Sequence, residues 1–127
     1  YEMIDIHSHI ISGIDDGSKN TEMTIKMLEM AEESGTTDIV ATPHFMRGRF
    51  EVTYKEVIDE VENLKKLTKE NSININIYSG QEVYYSRNIL EYYNQGMIGT
   101  INNTRYMLIE FPMLEFNIEE AINTIYE

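Results

Sequence analysis

Short apolar runs alternate with amphipathic stretches along the whole chain. The run Met3 to Ile6 has the form of a buried strand. Residues 21–34 carry apolar side chains at helical spacing, with Met27, Leu28 and Ala31 on one face and Gly35 placed to end the helix. "TDIVAT" (37–42) is rich in β-branched residues and reads as a second strand. Thr53 and Glu56 have the spacing of a capping box. The helix they open runs through Val57, Val61, Leu64 and Leu67, and Asn71 is a plausible terminator. "INIYSG" (75–80) predicts a third strand, Asn88 a cap for a short helix with Leu90 and Tyr93, and "RYMLIEF" (105–111) a fourth strand. Asn117 and Glu120 are spaced to open one more helix. Four strand-then-helix units in sequence predict an α/β architecture with parallel strands.

That last helical pattern is still running at Glu127, and residue 1 is Tyr, not Met. Four units make neither a comfortable closed barrel nor an obvious complete open sheet. The expectation is therefore one partial domain over residues 1–127, truncated at its C-terminus.

Composition narrows the classes that remain. No apolar run approaches the length of a membrane-spanning helix, and no signal-peptide pattern is present. The absence of cysteine removes disulfides and thiolate metal sites and fits a reducing compartment, so a cytoplasmic location is expected. Twenty-two acidic residues against ten basic ones give a formal charge of −12. That disfavours long-range attraction to nucleic acid or to an anionic membrane. It also means that any anionic substrate needs a local source of positive charge.

The unusual polar residues supply a candidate. His7 and His9 stand where the first predicted strand runs out, and Asp16 lies in the loop behind it. His44 ends "VATPH" after the second strand, Glu82 ends "YSGQE" after the third, and Glu110 closes "MLIE" in the fourth. Carboxyl ends of parallel strands share one face, where α/β active sites form. Histidines two apart on a strand project to the same side, so His7 and His9 can grip one ion together. Imidazole with carboxylate and no thiolate suits divalent Zn, Mn or Fe. Asp15, beside Asp16 and Gly17, reads as simple turn chemistry. Helix capping is the competing account of Glu82 and Glu110. Yet all three histidines of the chain fall at strand ends on one face.

The blocks "DIHSHIISGIDDGS", "VATPH", "GQEVY" and "MLIEFP", in this order and at these spacings, resemble the polymerase and histidinol phosphatase (PHP) superfamily. Within it they are most similar to the capsule-associated tyrosine phosphatases of the CpsB/YwqE type. The resemblance implies the N-terminal part of a distorted (β/α)₇ barrel with a centre of three metal ions, usually manganese. In that pattern His7 and His9 hold one ion. Glu82 bridges it to a second that Glu110 also binds, and Asp16 and His44 serve the third. The other three family ligands, a His and then an Asp and His pair, belong to a C-terminal half beyond this sequence. Relatives commonly carry His and Arg directly after "ATPH"; this chain has Phe45, Met46 and Arg47 there. Arg47 and Arg49 are the candidate phosphate contacts, with solvated loop charge as the alternative.

The resemblance further implies hydrolysis of phosphotyrosine on a protein, the tail of an autophosphorylating bacterial kinase of capsule or exopolysaccharide export. Manganese, zinc or iron would then provide the positive charge that the acidic chain lacks. A homo-oligomer stays open. Two other functions compete: a further phosphoesterase of the superfamily, such as a histidinol phosphatase, and a non-catalytic metal-binding fragment.

Overall fold

The computed structural model describes residues 3–111. Strand β1 (Met3–Ser8) leads through a long loop to helix α1 (Thr21–Glu33), which returns to β2 (Thr36–Ala41) and, past Pro43, to the two-residue β3 (His44–Phe45). Helix α2 (Tyr54–Glu70) then precedes β4 (Asn76–Ser79) and β5 (Glu82–Tyr84). A short α3 (Ile89–Asn94) and a single 3₁₀ turn (Ile101–Asn103) lead to β6 (Leu108–Glu110). Every strand pairing is parallel: β1-β2-β4 form one three-stranded sheet and β3-β5-β6 another. Within these residues the expected α/β class with parallel strands is borne out. The helix expected at Asn117 and Glu120 lies outside the described residues.

The two sheets are consecutive stretches of the same strands. Both β2 and β4 break for two residues and resume as β3 and β5. Pro43 has no N–H to give to a ladder, which accounts for the first break; its carbonyl accepts from the Glu82 amide at 2.9 Å. At the second break the Gln81 side chain is buried at 1% exposure. It donates to the Val52 carbonyl at 2.9 Å and accepts from the Gly99 amide at 2.9 Å. His44 and Glu82, expected directly after the second and third strands, therefore occupy the first positions of new short strands.

Local chemistry explains the helices. The Asn20 side chain accepts from the Met23 amide at the start of α1, and Gly35, at φ +94°, follows its end. Thr53 caps α2 by accepting from the Glu56 amide, and Asn71 ends it. Val57, Val61 and Leu64 of α2 and Leu28 of α1 are buried against Ile39, Ala41 and Ile77 of the first sheet. A second cluster of Phe45, Val83, Ile89 and Ile98 lies under the other sheet. Asn88 precedes α3 but makes no side-chain capping bond; the amide of Ile89 is taken by the Ser86 carbonyl instead. Tyr93 of that helix is exposed.

Two expectations need correction. β1 is not buried: Ile4 is 66% and Ile6 54% exposed. Among the described residues β1 pairs only with β2, so one edge and much of one face have no covering element. The fourth strand is three residues, not seven, because residues 104–106 bend through hydrogen bonds from Thr104 Oγ1 to the Ile101 carbonyl and from the Tyr106 amide to Thr104 Oγ1.

The loop after β1 folds back tightly onto the strand it leaves. Ile10 and Ile11 enter the core at 2% exposure each. The Ser18 amide donates to the His9 carbonyl at 3.0 Å, and the Gly13 amide donates to the Ser18 carbonyl at 2.9 Å. Thr24 Oγ1 of α1 donates to the Ile10 carbonyl at 2.6 Å. Gly17 then passes so close that a Cβ there would lie 2.3 Å from His9 Cβ and 2.5 Å from the His9 carbonyl oxygen. Gly17→Ala should therefore destabilise the protein by about 1–3 kcal/mol through overpacking. Gly13→Ala meets no atom within 4 Å and is strained only by its φ of +76°, so about 1 kcal/mol is expected. Denaturant unfolding of the two variants checks this; a Gly17→Ala loss no larger than that of Gly13→Ala would contradict the packing.

Candidate metal centre

Backbone register brings the chemistry together. His44 is paired with Glu82 across β3 and β5, and Tyr84 with Glu110 across β5 and β6. His7 and His9 arrive from the end of β1, and Asp16 from the folded-back loop. Three sets of donor atoms each lie within 4.8 Å of one another: His7, His9 and Glu82; His9, Asp16 and His44; His44, Glu82 and Glu110. All six residues expected from the sequence meet in one place, with His9, His44 and Glu82 shared between sets.

Glu82 is at the centre. Its Oε1 lies 3.1 Å from His7 Nε2, 3.0 Å from His9 Nε2 and 3.2 Å from His44 Nδ1. The same oxygen is buried and, among the described residues, accepts no hydrogen bond. Buried polar atoms in folded proteins almost always have a partner, so an orphaned carboxylate oxygen ringed by imidazole nitrogens needs an explanation.

Asp15 sharpens the question. Its Oδ2 accepts from His9 Nδ1 at 3.0 Å and from the His44 amide at 3.0 Å, and its Oδ1 accepts from the Gly17 amide at 2.8 Å. Burial pushes the Asp15 carboxyl up, and the hydrogen bonds from His9, His44 and Gly17 more than reverse this, holding it below the ordinary carboxylate range. The bond to Asp15 raises the His9 imidazole, while burial opposes it. With Nδ1–H committed to Asp15, the neutral His9 ring turns a lone pair on Nε2 toward the Glu82 oxygen. Lone pair against lone pair at 3.0 Å is repulsive unless a proton or a cation lies between them.

A divalent cation fits this donor set. Neutral imidazoles and carboxylates without thiolate are the ligands of Zn, Mn and Fe(II). A histidine that ligates through one nitrogen while the other donates to a carboxylate has the usual outer-shell arrangement of metal sites. The remaining contacts agree: His7 Nε2 and His9 Nε2 are 3.2 Å apart, and Asp16 Oδ1 is 3.2 Å from His44 Nε2. His7 and Asp16 are the exposed members, with 46% and 62% side-chain exposure, against 9% for Glu82.

The two arginines expected near phosphate are placed differently from each other. Arg47 lies over the Tyr92 ring, 3.6 Å from Glu51 Oε1. Arg49 stacks on Phe50 at 4.9 Å, and the Phe50 ring stacks in turn on His44, centroids 5.6 Å apart. Arg49 is thus the one linked to the cluster. Asp15 was read as turn chemistry, and it does accept the Gly17 amide. What that reading missed is the other carboxylate oxygen, which takes His9 Nδ1 and the His44 amide. The available signal was an acid six residues beyond a candidate ligand, in a loop expected to return.

The family described as "Capsular polysaccharide synthesis, CpsB/CapC" matches residues 3–127. CapC of Staphylococcus aureus is 38% identical, the match covering 89% of this chain and 44% of that protein. Tyrosine-protein phosphatase CpsB of Streptococcus pneumoniae is 37% identical over 87% of this chain and 46% of its own length. A crystal structure from work on YwqE from Bacillus subtilis and CpsB from Streptococcus pneumoniae, described as metal-dependent tyrosine phosphatases, superposes with a TM-score of 0.86. It is 30% identical, and the match covers 91% of this chain and 47% of that one. The chain spans about half the length of the curated relatives it matches. On the family match and these identities, the chain belongs to the CpsB/CapC family of capsular polysaccharide synthesis.

Proposed function

We propose that the complete protein is a metal-dependent phosphatase acting on phosphotyrosine in a protein, and that this chain provides the N-terminal part of its PHP-type barrel and six of its metal ligands. The observation that carries the metal reading is the buried Glu82 oxygen, ringed by three imidazole nitrogens and, among the described residues, without a hydrogen bond. The relatives' tyrosine phosphatase names support the reaction.

His7, His9 and Glu82 would hold one ion, Glu82 and Glu110 a second, and Asp16 with His44 a third. Manganese is the proposed metal, with zinc and iron also compatible with the donors. When bound, such ions act as Lewis acids on phosphoryl oxygens and lower the pKa of bound water toward neutrality.

The chain's own residues do the rest. Glu82, almost enclosed, turns one carboxylate oxygen to three imidazoles. Asp15 holds the Nδ1 proton of His9, leaving Nε2 free for ligation. Half-exposed His7 and exposed Asp16 leave the cluster open to a substrate from solvent. Phe50 and Arg49 form an aromatic and cationic wall on the His44 side, suited to an aryl phosphate. The proposed physiological substrate is the phosphorylated tail of a tyrosine kinase in capsule export. Among the described residues no helix is long and apolar enough to cross a membrane; a cytoplasmic location is part of the same proposal.

Two outcomes follow. Full-length protein stripped by chelator should lose hydrolysis of a phosphotyrosine peptide, regain it with Mn(II), and ignore thiol-alkylating reagents; histidinol phosphate should be a much poorer substrate. Activity that survives stripping, or preference for histidinol phosphate, would refute the assignment. Arg49→Ala should raise KM for the phosphopeptide by about 10-fold or more, the scale of one charged hydrogen bond, while Arg47→Ala changes it little. Steady-state kinetics of the two variants decide, and equal effects would remove Arg49 from the phosphate site.

A further inference from the structure

Asp15 is among the most constrained polar side chains near the cluster. Its carboxylate is 1% exposed. Three donors converge on it from three places in the fold: the His9 ring at the end of β1, the Gly17 amide in the returning loop, and the His44 amide at the first position of β3. The loop that carries it is pinned at both sides, by Ser18 on the His9 carbonyl and by Thr24 on the Ile10 carbonyl. The acid therefore cannot swing away from the ring it faces.

We infer that Asp15 is a positioning residue that sets the tautomer of His9 and, through the same oxygen, the place of His44. The inference rests on the metal reading of the cluster. An imidazole presents its two nitrogens on opposite sides of the ring. With an acceptor-only carboxylate at Nδ1, the proton of the neutral ring stays there and the Nε2 lone pair faces His7 Nε2 and Glu82. Because Oδ2 also takes the His44 amide, the backbone of one ligand is anchored to the ring of another. The rings of His9 and His44 consequently stack, centroids 4.4 Å apart at 28°. One carboxylate thus couples residues from all three donor sets.

This geometry makes Asn an informative substitute. An amide nitrogen at the Oδ1 position would point hydrogens at the Gly17 N–H. At the Oδ2 position it would oppose the His44 N–H and force His9 Nδ1 to accept, which moves the ring proton to Nε2 and blocks ligation. Neither orientation keeps all three bonds, although size and shape are unchanged.

The test uses full-length protein in two measurements. The first needs no variant: long-range ¹H–¹⁵N correlation of the histidine rings in metal-stripped wild type, at about pH 9 where ordinary imidazoles are neutral. His9 should show a protonated Nδ1 and a bare Nε2, and a predominant Nε2–H form would overturn the inference. The second is Mn(II) affinity by competition with a chromogenic chelator. Asp15→Asn should bind about 10–100-fold more weakly than wild type, the usual range for loss of an outer-shell partner. It should also shift the His9 ring toward Nε2–H, which a merely structural role for Asp15 would not do. Wild-type affinity and tautomer in the variant would overturn the inference. Wild type that shows the expected tautomer but binds no Mn(II) would instead refute the metal reading while supporting the ring assignment.

Discussion

A carboxylate taken out of water must be compensated, and Glu82 sets that requirement for this fold. Moving an isolated carboxylate into a low-dielectric interior costs several kcal/mol even after relaxation. The usual remedies are an ion pair, hydrogen bonds or a neutralising proton. Among the described residues Glu82 Oε1 has no hydrogen-bond donor, and its neighbours at 3.0–3.2 Å are imidazole nitrogens. In its neutral form the His9 ring, with Nδ1–H on Asp15, turns a lone pair toward it. Two lone pairs facing each other at this distance call for a proton or a cation between them, and in the metal reading proposed above it is a cation. The binding energy of that cation would be the compensation.

The architecture around Glu82 follows from the need to bring donors to it from distant sequence. Parallel strands align their carboxyl ends, and here the two breaks, after β2 and after β4, move His44 and Glu82 into a second short ladder where they are direct partners. Gln81 locks one break by bonding residues 52 and 99, far apart in the chain. The β1 loop solves a different problem. Its two isoleucines enter the core, and this burial turns the following Asp15 and Asp16 back over the strand end. The acidic loop is therefore held near the imidazoles by apolar packing, with Gly17 allowing the close approach.

Much of this was legible in the sequence because it depends on local pattern. The capping pair Thr53 and Glu56, the stripe of Val57, Val61 and Leu64, and the β-branched run at Ile39 and Val40 all specify their elements without help from distant residues. The six candidate ligands were legible for a related reason: chemistry-bearing residues at strand ends need no side-chain detail to be placed on one face. What was not legible depends on contacts across the chain. The exposure of Ile4 and Ile6 is decided by which strands flank β1, and hydropathy alone reads such residues as buried. The shortening of β6 is a consequence of a turn at Thr104. Asp15 had an adequate local explanation in its turn, so nothing in the sequence called for its second set of partners on His9 and His44.

The central claim is that Glu82 is shared between two cation positions, and the metal content of full-length Glu82→Ala tests it most directly. Two close cations repel, and an anionic oxygen between them is what makes their pairing tolerable. Loss of that carboxylate should empty both positions that Glu82 joins, the one with His7 and His9 and the one with Glu110, while Asp16→Ala should empty only the position it shares with His44. Elemental analysis after equilibration with Mn(II) and gel filtration gives the number of ions per chain. A Glu82→Ala protein that loses more ions than Asp16→Ala is the predicted result. A Glu82→Ala protein that retains the wild-type number would contradict the account.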